Sequence, residues 1–216
     1  MNLAAYIDHT LLRPDASRDH ILNLCSEAKQ YQFAAVCVPP CYIRTAADAL
    51  ADFPEIKIAS VIGFPLGYSL TDVKFFETHK SLAHGASEID MVINVAAFKS
   101  GHFSEVRDEI EQLTTLCNFK NAIMKVIVET ALLTEAELVQ ICEMCADANV
   151  DYVKTSTGFA SRGASVKDVE IMRANLPEHI KIKASGGIKT REFALELIAA
   201  GADRIGTSSG VALMKG

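Results

Sequence analysis

Eight short apolar runs, each followed by a longer amphipathic stretch, constrain this chain more than any other feature. The runs cover residues 4–9, 34–38, 57–62, 88–95, 123–129, 152–156, 181–185 and 204–207. They recur about every 23 to 35 residues, which leaves room for one strand and one helix per unit. Between them the spacing is helical. Ile21, Leu24, Cys25 and Ala28 share one face; Ile43, Ala46, Ala47 and Leu50 share another; Val106, Ile110, Leu113 and Cys117 share a third. Thr134 and Glu137 have capping-box spacing at the head of a helix that carries Leu138 and Ile141. Alternating β and α units predict a parallel sheet, and eight of them are the number that closes a (β/α)8 barrel. The expected organisation is one α/β barrel domain over residues 1–216, with short loops and no second domain. An open doubly wound sheet is the alternative. It would usually show Gly-x-Gly-x-x-Gly after an early strand, and none is present.

Composition narrows the function classes. Half of the 216 residues are hydrophobic and 22% are charged, the balance of an ordinary soluble domain. A net charge of −6 argues against a nucleic-acid partner, which demands a basic footprint. No apolar run is long enough for a membrane span, and Asp8 interrupts the start too early for a signal peptide. Six cysteines without a secretion signal read as reduced thiols of a cytoplasmic protein. Cys142 and Cys145 match Cys-x-x-Cys, but they continue the helix face of Leu138 and Ile141 and are expected to be packing residues. The six histidines are scattered, so neither a metal centre nor any other cofactor is expected.

Charged residues recur on one side of strands that are otherwise apolar. In the fourth run Asp90 alternates with Ile89 and Met91; in the fifth, Lys125 and Glu129 alternate with Met124, Val126 and Val128; in the seventh, Lys183 alternates with Ile182 and Ala184. A barrel strand buries both faces, and buried charges are costly unless paired. An interior cluster of Asp8, Asp90, Lys125, Lys154 and Lys183, with Glu129 close behind, reconciles the two. Active sites of such barrels lie at the carboxyl ends of the strands, where these residues fall. Lys154 and Lys183 end consecutive strands, so one amine can tune the other, as attack on a carbonyl requires. Lys181, at the other end of its strand, is expected to reach out from the barrel bottom. Cys37 is expected to point inward as filler.

Two clusters of glycine and hydroxyl residues complete the pattern. Gly186 and Gly187 follow the seventh run; Gly206, Thr207, Ser208 and Ser209 end the eighth and lead into a short final helix. Loops at these two positions are where such barrels hold phosphate on backbone N–H groups. Thr157 and Gly158, after the sixth run, are expected to join the same pocket.

The segments Ile7-Asp8-His9-Thr10, Glu88-Ile89-Asp90-Met91-Val92, Lys125-Val126-Ile127-Val128-Glu129-Thr130, Val153-Lys154-Thr155-Ser156-Thr157-Gly158, Lys183-Ala184-Ser185-Gly186-Gly187-Ile188 and Gly206-Thr207-Ser208-Ser209-Gly210 together resemble the motif series of the deoxyribose-phosphate aldolases. The resemblance implies a class I aldolase that cleaves 2-deoxy-D-ribose 5-phosphate reversibly to D-glyceraldehyde 3-phosphate and acetaldehyde. In it, Lys154 matches the Schiff-base lysine, Lys183 the second lysine, Asp90 the aspartate of the proton relay, and Asp8 a further acid beside that relay. A homodimer is the default expectation. Another phosphosugar barrel enzyme, an isomerase or a related aldolase, is the alternative. Two departures resemble the shorter branch of the family. The chain stops at Met214-Lys215-Gly216 without a terminal tyrosine, and Phe159 stands where longer members often carry a lysine. Arg162 is the nearby candidate to replace that cation.

Overall fold

The computed structural model describes residues 2–215. Eight parallel strands form a closed barrel in chain order: β1 (Ile7–Thr10), β2 (Ala35–Val38), β3 (Lys57–Ile62), β4 (Glu88–Val92), β5 (Ile123–Ile127), β6 (Tyr152–Lys154), β7 (Lys181–Ser185) and β8 (Arg204–Thr207). Pairing of β1 with β8 closes the ring and sets Asp8 opposite Gly206. The open-sheet alternative is thereby excluded. The outer layer holds nine helices among the described residues: α1 (Arg18–Tyr31), α2 (Ile43–Ala49), α3 (Thr71–Ala83), α4 (Val95–Lys99), α5 (Phe103–Phe119), α6 (Glu135–Asp147), α7 (Val166–Asn175), α8 (Arg191–Ala199) and α9 (Gly210–Lys215). None is long and apolar enough to cross a membrane.

The helix faces pack as their spacing predicts. Ile21, Cys25 and Ala28 of α1, and Val106, Ile110, Leu113 and Cys117 of α5, are fully buried against the sheet. Thr134 caps α6 by accepting from the Glu137 N–H, and Glu137 returns the bond. Cys142 and Cys145 are buried on the inner face of α6, and burial pushes the Cys142 thiol up to about 12. A thiol so hard to ionise is filler, not a nucleophile. Among the described residues, no group of three or more His, Cys, Asp or Glu is placed to hold a metal.

Five strands differ from the apolar runs: β2 starts at Ala35, β6 ends at Lys154, and three further boundaries have a local cause. Leu3–Tyr6 form a 3-10 turn, so β1 starts at Ile7: the apolar Leu3 and Ala4 pack into the core but not as part of the sheet. β4 ends at Val92, because the Asn94 side chain accepts from the Ala97 N–H and starts α4. β5 ends at Ile127, and Glu129 turns into the left-handed region at φ 56°. A second charge pair lies outside the barrel, buried between α3 and α5. Lys74 donates to Glu109 at 2.6 Å and to the Val92 carbonyl at 2.7 Å, while Glu109 accepts from the Asn94 N–H at 3.0 Å. Both partners also bond the carboxyl end of β4, so the pair anchors the loop that follows the strand bearing Asp90.

Candidate active site

Period-two alternation along the strands places Asp8, Asp90, Lys125, Lys154 and Lys183 inside the barrel, and register brings them together. Asp90 lies opposite Lys125 across the β4–β5 pair, and Lys154 opposite Lys183 across the β6–β7 pair. Asp90 is the hub. Its Oδ1 accepts from Lys125 at 2.8 Å, and its Oδ2 accepts from both Lys154 and Lys183 at 2.7 Å. Lys183 also pairs with Asp8. All five predicted members of the cluster are therefore in one connected network, and all are buried.

Sequence reasoning missed two members at the barrel floor. Arg204 donates through Nε to Asp8 at 2.6 Å and through Nη2 to Glu88 at 3.2 Å, and Lys125 lies 2.6 Å from Glu88. A signal was available: Glu88 shares the parity of Asp90, and Arg204 opens an otherwise apolar strand. Glu129 stands apart from the network. It accepts from both the N–H and the hydroxyl of Thr157, so it fixes the loop that follows Lys154. Its left-handed backbone, costly for a non-glycine residue, lies just past the carboxyl end of β5.

Burial and charge separate the lysines. Burial disfavours the Lys125 and Lys183 ammonium groups, but the carboxylates they touch outweigh it, and both are held above the ordinary lysine range. For Lys154 burial is the largest influence and Lys183 adds to it; Asp90, already shared with two other lysines, does not compensate, and the group is held below the lysine range. Burial alone would raise Asp8 and Asp90, yet the surrounding cations keep Asp8 down to about 2 and Asp90 well below the carboxylate range. Burial likewise raises the Cys37 thiol, which packs with Ala59 and Val61 as filler.

Lys154 alone of this network lines the cavity at the carboxyl end of the barrel, a space of about 290 Å³. Its walls carry every residue expected at a phosphate: Thr157, Gly158, Gly186, Gly187, Gly206, Ser208 and Ser209. Hydrogen bonds tie the loops to one another. The Ser185 hydroxyl donates to the Ser156 carbonyl at 2.6 Å, and the Thr207 hydroxyl donates to the Ile188 carbonyl at 2.7 Å and accepts from the Ser209 N–H at 2.9 Å. Two glycines are required by geometry. Gly186 has φ +84° and packs against Gly163, where a Cβ would sit 3.0 Å from the neighbouring Cα; at Gly206 a Cβ would meet Lys183 Cε at 3.0 Å.

The structure corrects the expectation for Arg162. Its guanidinium is engaged by Asp168 and by the Thr130 carbonyl at 3.0 Å, and it lines a different depression over α6 and α7. The cations at the cavity wall are instead Arg13 and Lys189, both exposed and both missed in the sequence. Lys189 follows directly on Gly186-Gly187-Ile188, so its place was readable; Arg13 reaches the cavity from the loop after β1. Lys181 is exposed at the bottom, as expected, and the structure lays it over the Tyr152 ring.

Known proteins share this chain's sequence and fold. The family model for DeoC/LacD family aldolase matches residues 3–215. A deoxyribose-phosphate aldolase of Thermococcus gammatolerans is 49% identical over 100% of this chain and 96% of its own length, and one of Mannheimia succiniciproducens is 50% identical over 99% and 94%. The tetrameric deoxyribose phosphate aldolase of Aeropyrum pernix superposes with a TM-score of 0.91 at 35% identity, covering 99% of this chain and 89% of that one. A model that spans nearly the whole chain and relatives that share half its residues lead to one conclusion: the chain belongs to the DeoC/LacD family of aldolases.

Proposed function

We propose that this aldolase cleaves 2-deoxy-D-ribose 5-phosphate reversibly to D-glyceraldehyde 3-phosphate and acetaldehyde through an imine at Lys154. One observation carries the reading: Lys154 is the buried amine that faces the cavity, and its surroundings disfavour its ammonium form. An unperturbed lysine of pKa ~10.4 is only about 0.1% amine near neutral pH, so this displacement supplies the nucleophile. The Lys154 amine adds to the aldehyde carbon C1 of the open-chain sugar. The carbinolamine hydroxyl leaves as water, taking a proton that Asp90 relays from solvent. The resulting iminium is the electron sink. The C3 hydroxyl gives its proton to the same relay, the C2–C3 bond breaks, glyceraldehyde 3-phosphate departs and an enamine remains. A proton is then added at C2, and water releases acetaldehyde and the free amine. Asp90 relays protons at Lys154 through the oxygen that Lys183 also engages, and Lys183, Lys125 and Asp8 hold that arrangement.

The glycine-rich loops after β6, β7 and β8 take the phosphate, with Ser208 and Ser209 as donors and Arg13 and Lys189 as the nearby cations. Anchoring the far end of the substrate keeps C1 within reach of Lys154. Acetaldehyde with borohydride should fix a reduced two-carbon group on Lys154, located by peptide mapping. A label on Lys183 alone, or on no lysine, overturns the reading. A barrel isomerase using the same loops would form no imine, so the same experiment separates the alternative.

We further propose that residues 1–216 work as one domain, as a homodimer in the cytoplasm. Support for the dimer is an apolar surface on the β3–α3 loop and α3: Leu66, Tyr68, Leu70, Val73 and Phe76 are all exposed, Leu70 at 76%. Six free thiols support a reducing compartment. Light scattering tests the assembly; a monomer at micromolar concentration would refute it.

A further inference from the structure

We propose that Arg204 and Glu88, on the barrel floor and out of the substrate's reach, act as positioning residues that keep Lys154 a free amine by completing a charge-neutral ring of ion pairs. The inference rests on the imine reading above and adds what sets the state of the amine. The ring can be traced through consecutive contacts. Lys183 pairs with Asp8; Asp8 with Arg204; Arg204 with Glu88 at 3.2 Å; Glu88 with Lys125 at 2.6 Å; Lys125 with Asp90 at 2.8 Å; and Asp90 with Lys183 again at 2.7 Å. Cations and carboxylates alternate, three of each, so the ring is balanced without Lys154.

Lys154 is then a fourth cation attached to a complete set. It touches the ring only through Asp90 Oδ2, which already serves Lys183. Protonating it would place one uncompensated charge among side chains that are nearly all without solvent contact, which is strongly disfavoured. The other groups that face this interior do not change the count. Cys37 of β2 and Tyr152 of β6 are buried and held in their neutral forms, β3 contributes Ala59 and Val61, and Glu129 is engaged with Thr157. Lys125, Lys183 and Arg204 are each displaced toward the charged form, and Lys154 alone of the four is displaced toward neutrality. Proximity to Lys183 is thus only part of the tuning. Lys183 is itself compensated, and the whole ring determines that the surplus falls on Lys154.

The prediction has a sign that a purely structural role would not reproduce. Arg204→Met removes a ring cation, so the Lys154 ammonium becomes the balancing charge. The acid limb of kcat/KM against pH should move up by about one unit, the shift expected of a unit charge some 10 Å away at an effective dielectric near 20. Glu88→Gln removes a ring anion and should move the limb down. The double variant restores the balance and should return toward the parent profile. Retro-aldol rates on 2-deoxy-D-ribose 5-phosphate are measured from about pH 5 to 10, and borohydride trapping at Lys154 is run on each variant at alkaline pH. Loss of trapping in the parent refutes the imine reading itself. With trapping intact, an unmoved or lowered limb in Arg204→Met, or a double variant no nearer the parent than the single ones, overturns the ring. Should Arg204→Met fail to fold, Glu88→Gln carries the same test with the opposite sign, and a limb that stays in place or rises there overturns it.

Discussion

Lys183→Leu offers the sharpest separation of electrostatic tuning from direct proton donation. Lys183 and Lys154 both donate to Asp90 Oδ2 at 2.7 Å. Sharing one oxygen keeps the two nitrogens within roughly 5 Å, where two unit charges at an effective dielectric near 20 repel by roughly 3–4 kcal/mol, or about 2–3 pH units. Leucine fills similar space without the charge and leaves Asp90 Oδ2 to Lys154 alone. Both changes favour the Lys154 ammonium. The acid limb of kcat/KM should therefore rise by about 2–3 units, with roughly a hundredfold or greater loss near pH 7 and partial recovery at alkaline pH. Lys183→Arg keeps the charge and should hold the limb close to the parent, although its broader fork changes the local packing. The assay is a pH series of retro-aldol rates with imine trapping at each pH. A Leu variant that is inactive at every pH while its imine still forms at the parental rate would refute tuning and make Lys183 a direct proton donor.

Ser209→Asp should raise KM for the phosphorylated sugar roughly tenfold or more beyond any change for unphosphorylated deoxyribose, because a carboxylate there repels phosphate; equal effects would remove the β8 loop from the phosphate site. EDTA should leave the aldolase rate intact, since the proposed electron sink is an iminium and not a metal; activity lost on chelation and restored by a divalent ion would refute the imine route. Burial opposes the Asp8 carboxylate, but Lys183, Arg204 and Lys125 hold it at about 2 in the folded chain against an ordinary value of 3.8. A depressed carboxyl contributes stability that is present above its unfolded value and lost as pH falls through its folded one, here about 2 kcal/mol between roughly pH 4 and pH 2. Urea midpoints of the parent should fall across that window, and Asp8→Asn should flatten the dependence; parallel profiles would mean that Asp8 does not drive the acid transition.

The barrel and the membership of its interior charge cluster were legible in the sequence. Alternation of strand and helix eight times leaves few ways to cover a parallel sheet, and a period of two within each strand assigns Asp90, Lys125 and Lys183 to the interior whatever the neighbours are. Position at the carboxyl ends likewise placed Lys154 and the glycine loops around one cavity. Partners across the barrel were another matter. Glu88 and Arg204 lie far apart in the chain, and their contact exists only because β8 closes against β1 and register brings both to the same floor. Arg162 follows the Lys154 loop in sequence, yet Asp168 and the Thr130 carbonyl hold it away from the cavity, while Arg13 arrives there from the opposite end of the chain. Local periodicity dictates which way a side chain faces. Which charge answers it depends on closure and register, and in a buried interior that choice decides which lysine gives up its proton.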